Sequence, residues 1–150
     1  MNNLSFHITD ITANSIRANA SEIGLSVEEQ DTRIVIRITD NGLGMDAETA
    51  RRVTNPFYTT RTTRKVGLGL PFLIQNAEQT GGSVTLTSEP GKGTEVRAVF
   101  HSDHIDCPPW GDLPGTVALL ITGTPAIKVC FEYRSGENGY LIQPDGIKEI

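Results

Sequence analysis

Four short clusters in the chain combine residue types and spacings that suit metal and phosphate chemistry. Asp10 and Asn14 stand four residues apart, so on a helix they share one face, a turn from each other. An amide carbonyl oxygen is a hard ligand for Mg²⁺, which keeps several waters and bridges phosphates. A carboxylate one turn earlier can position or deprotonate a water or hydroxyl. The second cluster is Asp40-Asn41-Gly42-Leu43-Gly44-Met45. A carboxylate there can accept a hydrogen bond from an exocyclic amine such as that of adenine, and the glycines let the backbone approach a flat ring without a Cβ clash. Alone, the same string reads equally well as an ordinary Asp-Asn-Gly turn. The third cluster runs from Asn55-Pro56-Phe57 through Tyr58, Thr59, Thr60 and Arg61 to Arg64 and Lys65. It sets an aromatic before hydroxyls and three cations suited to phosphate oxygens, and alone it is also compatible with a solvated basic loop. The fourth is Gly67-Leu68-Gly69-Leu70 at a helix start, where free N–H groups and the helix dipole favour a phosphate.

The elements that must position these clusters follow from periodicity. Leu4, Ile8, Ile11, Ser15 and Ala18 recur at helical spacing and predict a helix over 4–21, with Asn3 as its cap and Gly24 helping to end it. Residues 22–29 and 33–39 alternate as two strands joined by a polar turn, an antiparallel hairpin. Asp46 is placed to cap a short helix over 47–53. Residues 55–66 read as a loop, and a helix from the second glycine cluster runs to about Thr80, where Gly81-Gly82 stops it. Residues 83–88 and 94–100 form a second hairpin around a Pro-Gly turn. Residues 101–114, with three prolines and Trp110, read as a linker packed on the domain by its tryptophan. Beyond it, 117–121, 127–133 and 140–143 read as three strands, with Cys130 as a small buried hydrophobe in the second.

Bulk properties narrow the classes. At 150 residues the chain fits one domain with an appendage, divided here into 1–100 and a linker plus small β-rich extension over 101–150. A net charge of −5 does not favour a broad nucleic-acid surface. The two cysteines form no CxxC pair, and no apolar run reaches the roughly 20 residues of a membrane span. The expected location is cytoplasmic. His101, His104 and Cys107 have a zinc-like spacing but no evident fourth ligand, and read as polar linker residues.

Taken in order, helix with Asn, strand, DxGxG, Phe loop, GLGL, helix and hairpin, these clusters resemble the GHKL ATPase superfamily of gyrase, the heat-shock chaperone, mismatch-repair ATPases and histidine kinases. The resemblance covers residues 4–100, and the short span from Phe57 to the second glycine cluster is most similar to the histidine-kinase branch. It implies a Bergerat-type α/β (α+β) two-layer sandwich, with helices on one face of a mixed, mostly antiparallel sheet. It implies ATP and Mg²⁺ as cofactors. It puts Asn14 in the place of the Mg²⁺-binding asparagine and Asp40 in that of the adenine-pairing aspartate. Gly42 and Gly44 match the first glycine box, Phe57 the aromatic box, and Gly67, Leu68, Gly69 and Leu70 the phosphate-facing box. Thr94 matches a threonine found near adenine. The position four before Asn14 is a carboxylate, Asp10, which fits activation of water or a hydroxyl better than transfer to a histidine. Asp is shorter than the Glu usual in such members. The phosphorylated-histidine hairpin that precedes this domain in typical histidine kinases is expected to be missing, and His7 reads as a packing or surface residue. The expectation is therefore a stand-alone, Mg-dependent ATP-binding domain that transfers phosphate to a separate protein in signal transduction. ATP hydrolysis, or a nucleotide-responsive module that regulates a protein partner, are the alternatives.

Overall fold

The computed structural model describes residues 3–54 and 69–149. Helix α1 (Leu4–Arg17) begins where the Asn3 side chain accepts the Phe6 N–H at 2.7 Å, the cap expected from sequence. It stops four residues earlier than the periodicity suggested. Asn19 takes a left-handed conformation (φ 62°) that ends the helix, and Gly24 lies inside the following strand. Strands β1 (Glu22–Gln30) and β2 (Arg33–Asp40) pair antiparallel around Asp31, itself at φ 56°. Helix α2 (Ala47–Thr54) is capped by Asp46, whose carboxylate accepts the Thr49 N–H at 2.8 Å. Helix α3 (Gly69–Gln79) is closed by Gly81 and Gly82, whose N–H groups bond back to Glu78 and Ala77. Strands β3 (Ser83–Glu89) and β4 (Gly93–His101) form the second hairpin, and β4 pairs antiparallel with β2.

The C-terminal third differs from its sequence reading. Residues 117–121 are not a strand; they lie in helix α4 (Leu113–Gly123). An apolar run without alternation does not distinguish a strand from a buried helix segment. The deciding features lie upstream: the Asp112 carboxylate accepts the Gly115 N–H at 3.0 Å, and Pro114 sits in the first turn. The next two strands are found, as β5 (Lys128–Ser135) and β6 (Asn138–Gln143), and a further strand, β7 (Gly146–Glu149), follows. All three extend the main sheet, whose order is β3-β4-β2-β1-β5-β6-β7; among the described residues only the β1–β5 pairing is parallel.

One face of this sheet carries the helices. Leu25, Val27, Ile34, Ile36, Ile38, Val96, Ala98, Phe100 and Phe131 meet Ile8 and Ile11 of α1, Leu70 and Leu73 of α3, and Val117 of α4 in one core. Cys130 pairs with Gly24 rather than with this face and is half-buried. The segment between β4 and α4 is tied down as expected. Leu4 and Ser5 donate backbone N–H groups to the carbonyls of Pro109 and Trp110, and the Trp110 Nε1–H donates to Glu29, which also accepts the Tyr133 hydroxyl at 2.6 Å. The architecture is α+β with a mixed sheet, as the resemblance implied.

Candidate functional site

The loop that follows β2 is clamped from both sides by the protein's own backbone. A Cβ on Gly42 would lie 2.6 Å from the Ala18 carbonyl oxygen, which also accepts the Leu43 N–H at 2.9 Å. Gly44 has φ +73°, and a Cβ there would fall 1.9 Å from the Glu89 carbonyl oxygen. The Gly91 N–H donates to the Leu43 carbonyl at 2.7 Å, and the Met45 N–H to the Ser88 hydroxyl at 2.9 Å. These glycines therefore admit the chain's own α1 end and β3–β4 turn, a reason different from the ring approach suggested by sequence.

The clamp fixes Asp40. Its Oδ2 accepts the hydroxyl of Ser15 at 2.6 Å and its Oδ1 the backbone N–H of Gly42 at 2.9 Å. Thr94 is the register partner of Asp40 across the β2–β4 pair, and its hydroxyl lies 2.8 Å from that of Ser88. Residues 54 positions apart in the chain thus become neighbours through one strand pairing. Each carboxylate oxygen retains acceptor capacity beyond its single protein donor.

Asp40 and Thr94 open onto a cleft of about 210 Å³. Its apolar lining comes from Ile11, Ala18, Ile38, Met45, Val53, Leu70 and Val96; Asn14, Ser15, Arg17 and Gly44 complete it. Apolar walls with a few convergent polar groups suit a flat heterocycle bearing an amine. The Asn14 amide oxygen accepts a hydrogen bond from Arg17 Nη2 at 2.6 Å. Asp10 is half-buried one turn earlier and lies against the first residue of α3: a Cβ on Gly69 would come within 3.2 Å of Asp10 Oδ2. Burial raises the Asp10 pKa above the ordinary carboxylate value, and the positive charge of Arg17 offsets part of that rise.

Of the residues singled out in the sequence, Asn14, Asp40, Gly44, Leu70 and Thr94 line this one cleft. Gly42 supports it from behind, and Asp10 and Gly69 meet beside Leu70. Phe57, Thr60, Arg61, Arg64, Lys65, Gly67 and Leu68 lie outside the described residues. Sequence reasoning passed over Ser15 and Ser88, which looked like ordinary helix-face and strand positions, and Arg17, although the 10/14/17 spacing places it on the stripe of Asp10 and Asn14. His7 proves to be core, 1% exposed and bonded to Asn76 at 2.7 Å. Among the described residues no group of three or more His, Cys, Asp or Glu is arranged to hold a metal, the 101–107 stretch included. A lone amide oxygen, that of Asn14, instead suits an ion that takes most of its ligands from phosphate and water, and in that respect it fits Mg²⁺. No helix among the described residues is long and apolar enough to cross a membrane.

Comparison with known proteins shows the family. The family model described as "Histidine kinase-, DNA gyrase B-, and HSP90-like ATPase" matches residues 3–104. A putative sensor protein of Shewanella frigidimarina is 32% identical over 97 residues, which is 62% of this chain and 15% of that protein. The sensor histidine kinase YxdK of Bacillus subtilis is 29% identical over 104 residues, 65% of this chain and 32% of its own length. Sporulation kinase E of the same organism is 40% identical over 73 residues, 49% of this chain and 9% of its own length. The chain therefore matches at most about a third of these relatives. The crystal structure of the N-terminal domain of a DNA repair protein superposes with a TM-score of 0.58 over 93% of this chain and 51% of its own, at 19% identity, a likeness of fold alone.

Proposed function

The chain belongs to the histidine kinase-, DNA gyrase B- and HSP90-like ATPase family, and from that premise we propose that it binds ATP with Mg²⁺ in the Asp40–Asn14 cleft and transfers the γ-phosphoryl group to a separate protein. The observation that carries this reading is that Asn14, Asp40, Leu70 and Thr94 line one cavity. Adenine lies between the apolar walls with its amine donating to Asp40, whose orientation Ser15 and Gly42 fix. The triphosphate runs toward the start of α3 at Gly69, where a helix N-terminus favours negative charge. Bound Mg²⁺ supplies charge neutralisation on the phosphate oxygens, and Asn14 contributes the protein's amide ligand.

Asp10 is the proton acceptor in this reading. Its raised pKa makes it a better base than an exposed carboxylate, and it sits next to the first turn of α3. A hydroxyl oxygen of the substrate bonds to the γ-phosphorus, the bond to the β,γ-bridging oxygen breaks, ADP leaves, and the hydroxyl proton passes to Asp10. The same carboxylate also serves a water, so ATP hydrolysis coupled to a conformational change is the second reading. Residues 1–100 carry the nucleotide chemistry, and 101–150 brace α1 through α4. The sensor and kinase names of the relatives favour a place in signal transduction.

Calorimetry with ATP and GTP tests the purine assignment. The guanine carbonyl would face the Asp40 carboxylate, acceptor against acceptor, so ATP should bind at least about tenfold more tightly. In Asp40→Asn, ATP affinity should fall about tenfold or more and the preference should narrow, because an amide can donate to the guanine oxygen. Equal affinities in the parent chain, or unchanged ATP binding in the variant, would refute the assignment.

A further inference from the structure

Asp10, Asn14 and Arg17 occupy one stripe of α1, at spacings of four and three. Within that stripe Arg17 Nη2 donates to the Asn14 amide oxygen at 2.6 Å, and the Arg17 charge acts favourably on the Asp10 carboxylate. Both Arg17 and Asn14 line the nucleotide cleft. A side-chain cation therefore already sits on the oxygen that the nucleotide reading assigns to the metal.

An amide oxygen has two lone pairs, so it accommodates two partners in principle. Charge opposes that arrangement. Mg²⁺ binds oxygen at about 2 Å, which would set a dication beside a guanidinium nitrogen on the same oxygen. Arg17 must then rotate away when the metal is bound, and it stays at Asn14, next to the phosphates, when the metal is absent. We propose that Arg17 is a tethered cation that competes with Mg²⁺ for the Asn14 amide oxygen and thereby sets how strongly nucleotide binding depends on the divalent ion. Arg17 is in this sense a specificity-determining residue for metal-loaded against metal-free nucleotide. The inference rests on the nucleotide reading of the cleft.

The test measures ATP affinity by calorimetry in excess Mg²⁺ and in EDTA, for the parent chain, Arg17→Met and Arg17→Lys. The readout is the dissociation constant in EDTA divided by that in Mg²⁺, compared between proteins; the comparison cancels Mg²⁺–ATP association in solution and is insensitive to a uniform loss of affinity. Methionine keeps an unbranched apolar stem without the charge. The metal-dependence ratio should rise about three- to tenfold in Arg17→Met, the size of one partly exposed charge contact, and return toward the parent value in Arg17→Lys. A ratio that is unchanged or smaller in Arg17→Met, with ATP still bound, overturns the competition alone. A parent chain that binds no ATP with or without Mg²⁺ overturns the nucleotide reading, and this inference with it.

Discussion

Acid should weaken this fold through His7. The imidazole is 1% exposed, with Phe72, Phe6 and Phe100 rings 5.1, 6.3 and 6.4 Å away, and Nε2 lies 2.7 Å from the Asn76 amide nitrogen. With that amide donating to Nε2, the ring proton sits on Nδ1, which has no hydrogen-bond partner among the described residues. A second proton would put a buried charge in an aromatic cage, and burial accordingly lowers the His7 pKa from 6.5 to about 4. The unfolded chain thus takes up the proton first as pH falls. The stability that His7 contributes in its neutral form is complete above pH 6.5 and drains away between 6.5 and about 4. The linkage relation gives a loss of about 2 kcal/mol by pH 5 and about 3 kcal/mol by pH 4, which at pH 5 corresponds to roughly 4–8 °C in Tm. Urea denaturation of the parent chain and His7→Leu at pH 8 and pH 5 isolates this contribution. Leucine removes both the titration and the orphan nitrogen, so the parent should lose about 2 kcal/mol more than the variant between the two pH values, whatever their difference at pH 8. Equal losses would show that the imidazole is solvated or charge-paired in solution and would refute the reasoning.

Two further outcomes follow from the site. Asp10→Ala should leave ATP affinity within about threefold of the parent while phosphate release or phosphotransfer falls by at least about a hundredfold, as expected for loss of a general base; equal turnover, measured with radiolabelled ATP, removes Asp10 from the chemistry. Gly44→Ala should cost about 2 kcal/mol or more by urea denaturation, since the new methyl meets the Glu89 carbonyl at 1.9 Å, whereas Gly91→Ala, at a similar φ of +79° with nothing within 4 Å, should cost only about 1 kcal/mol. Equal costs would mean that the Gly44 loop relaxes freely away from the β3–β4 turn.

Much of the fold was legible because its signals are local. Asn3 and Asp46 announce their helices through side-chain caps, and the strand alternation of Ile34, Ile36 and Ile38 marks the buried face of β2 directly. The C-terminal third was harder for physical reasons. Leu119 to Ile121 are apolar without a period, and the helix they join is declared only by Asp112 and Pro114 upstream. The parallel pairing of β5 with β1 is a crossover contact between residues about a hundred positions apart, which no local pattern encodes. The site shows the same division. Asp40 and Asn14 are recognisable by type and spacing, but Ser15 gains a meaning only when α1 is packed so that its hydroxyl reaches the Asp40 carboxylate.

That packing also explains why the Asp40 end of the cleft is rigid. Asp40 is held at both oxygens, by Ser15 from α1 and by the Gly42 N–H from its own loop, and the strand that carries it is paired with β4 at Thr94. The loop is in turn pinned to Ala18 through Leu43 and to the β3–β4 turn through Gly91 and Ser88. A carboxylate fixed from three elements needs little reorganisation to receive an amine, so binding energy is not spent on ordering it. The opposite end differs in kind. Among the described residues the Asn14 amide oxygen is engaged there by an exposed arginine on its own helix, and an exposed contact contributes little. Selectivity for the base should therefore be insensitive to metal, while affinity for the phosphates should depend on it, and a purine preference that disappeared in EDTA would contradict this division of the cleft.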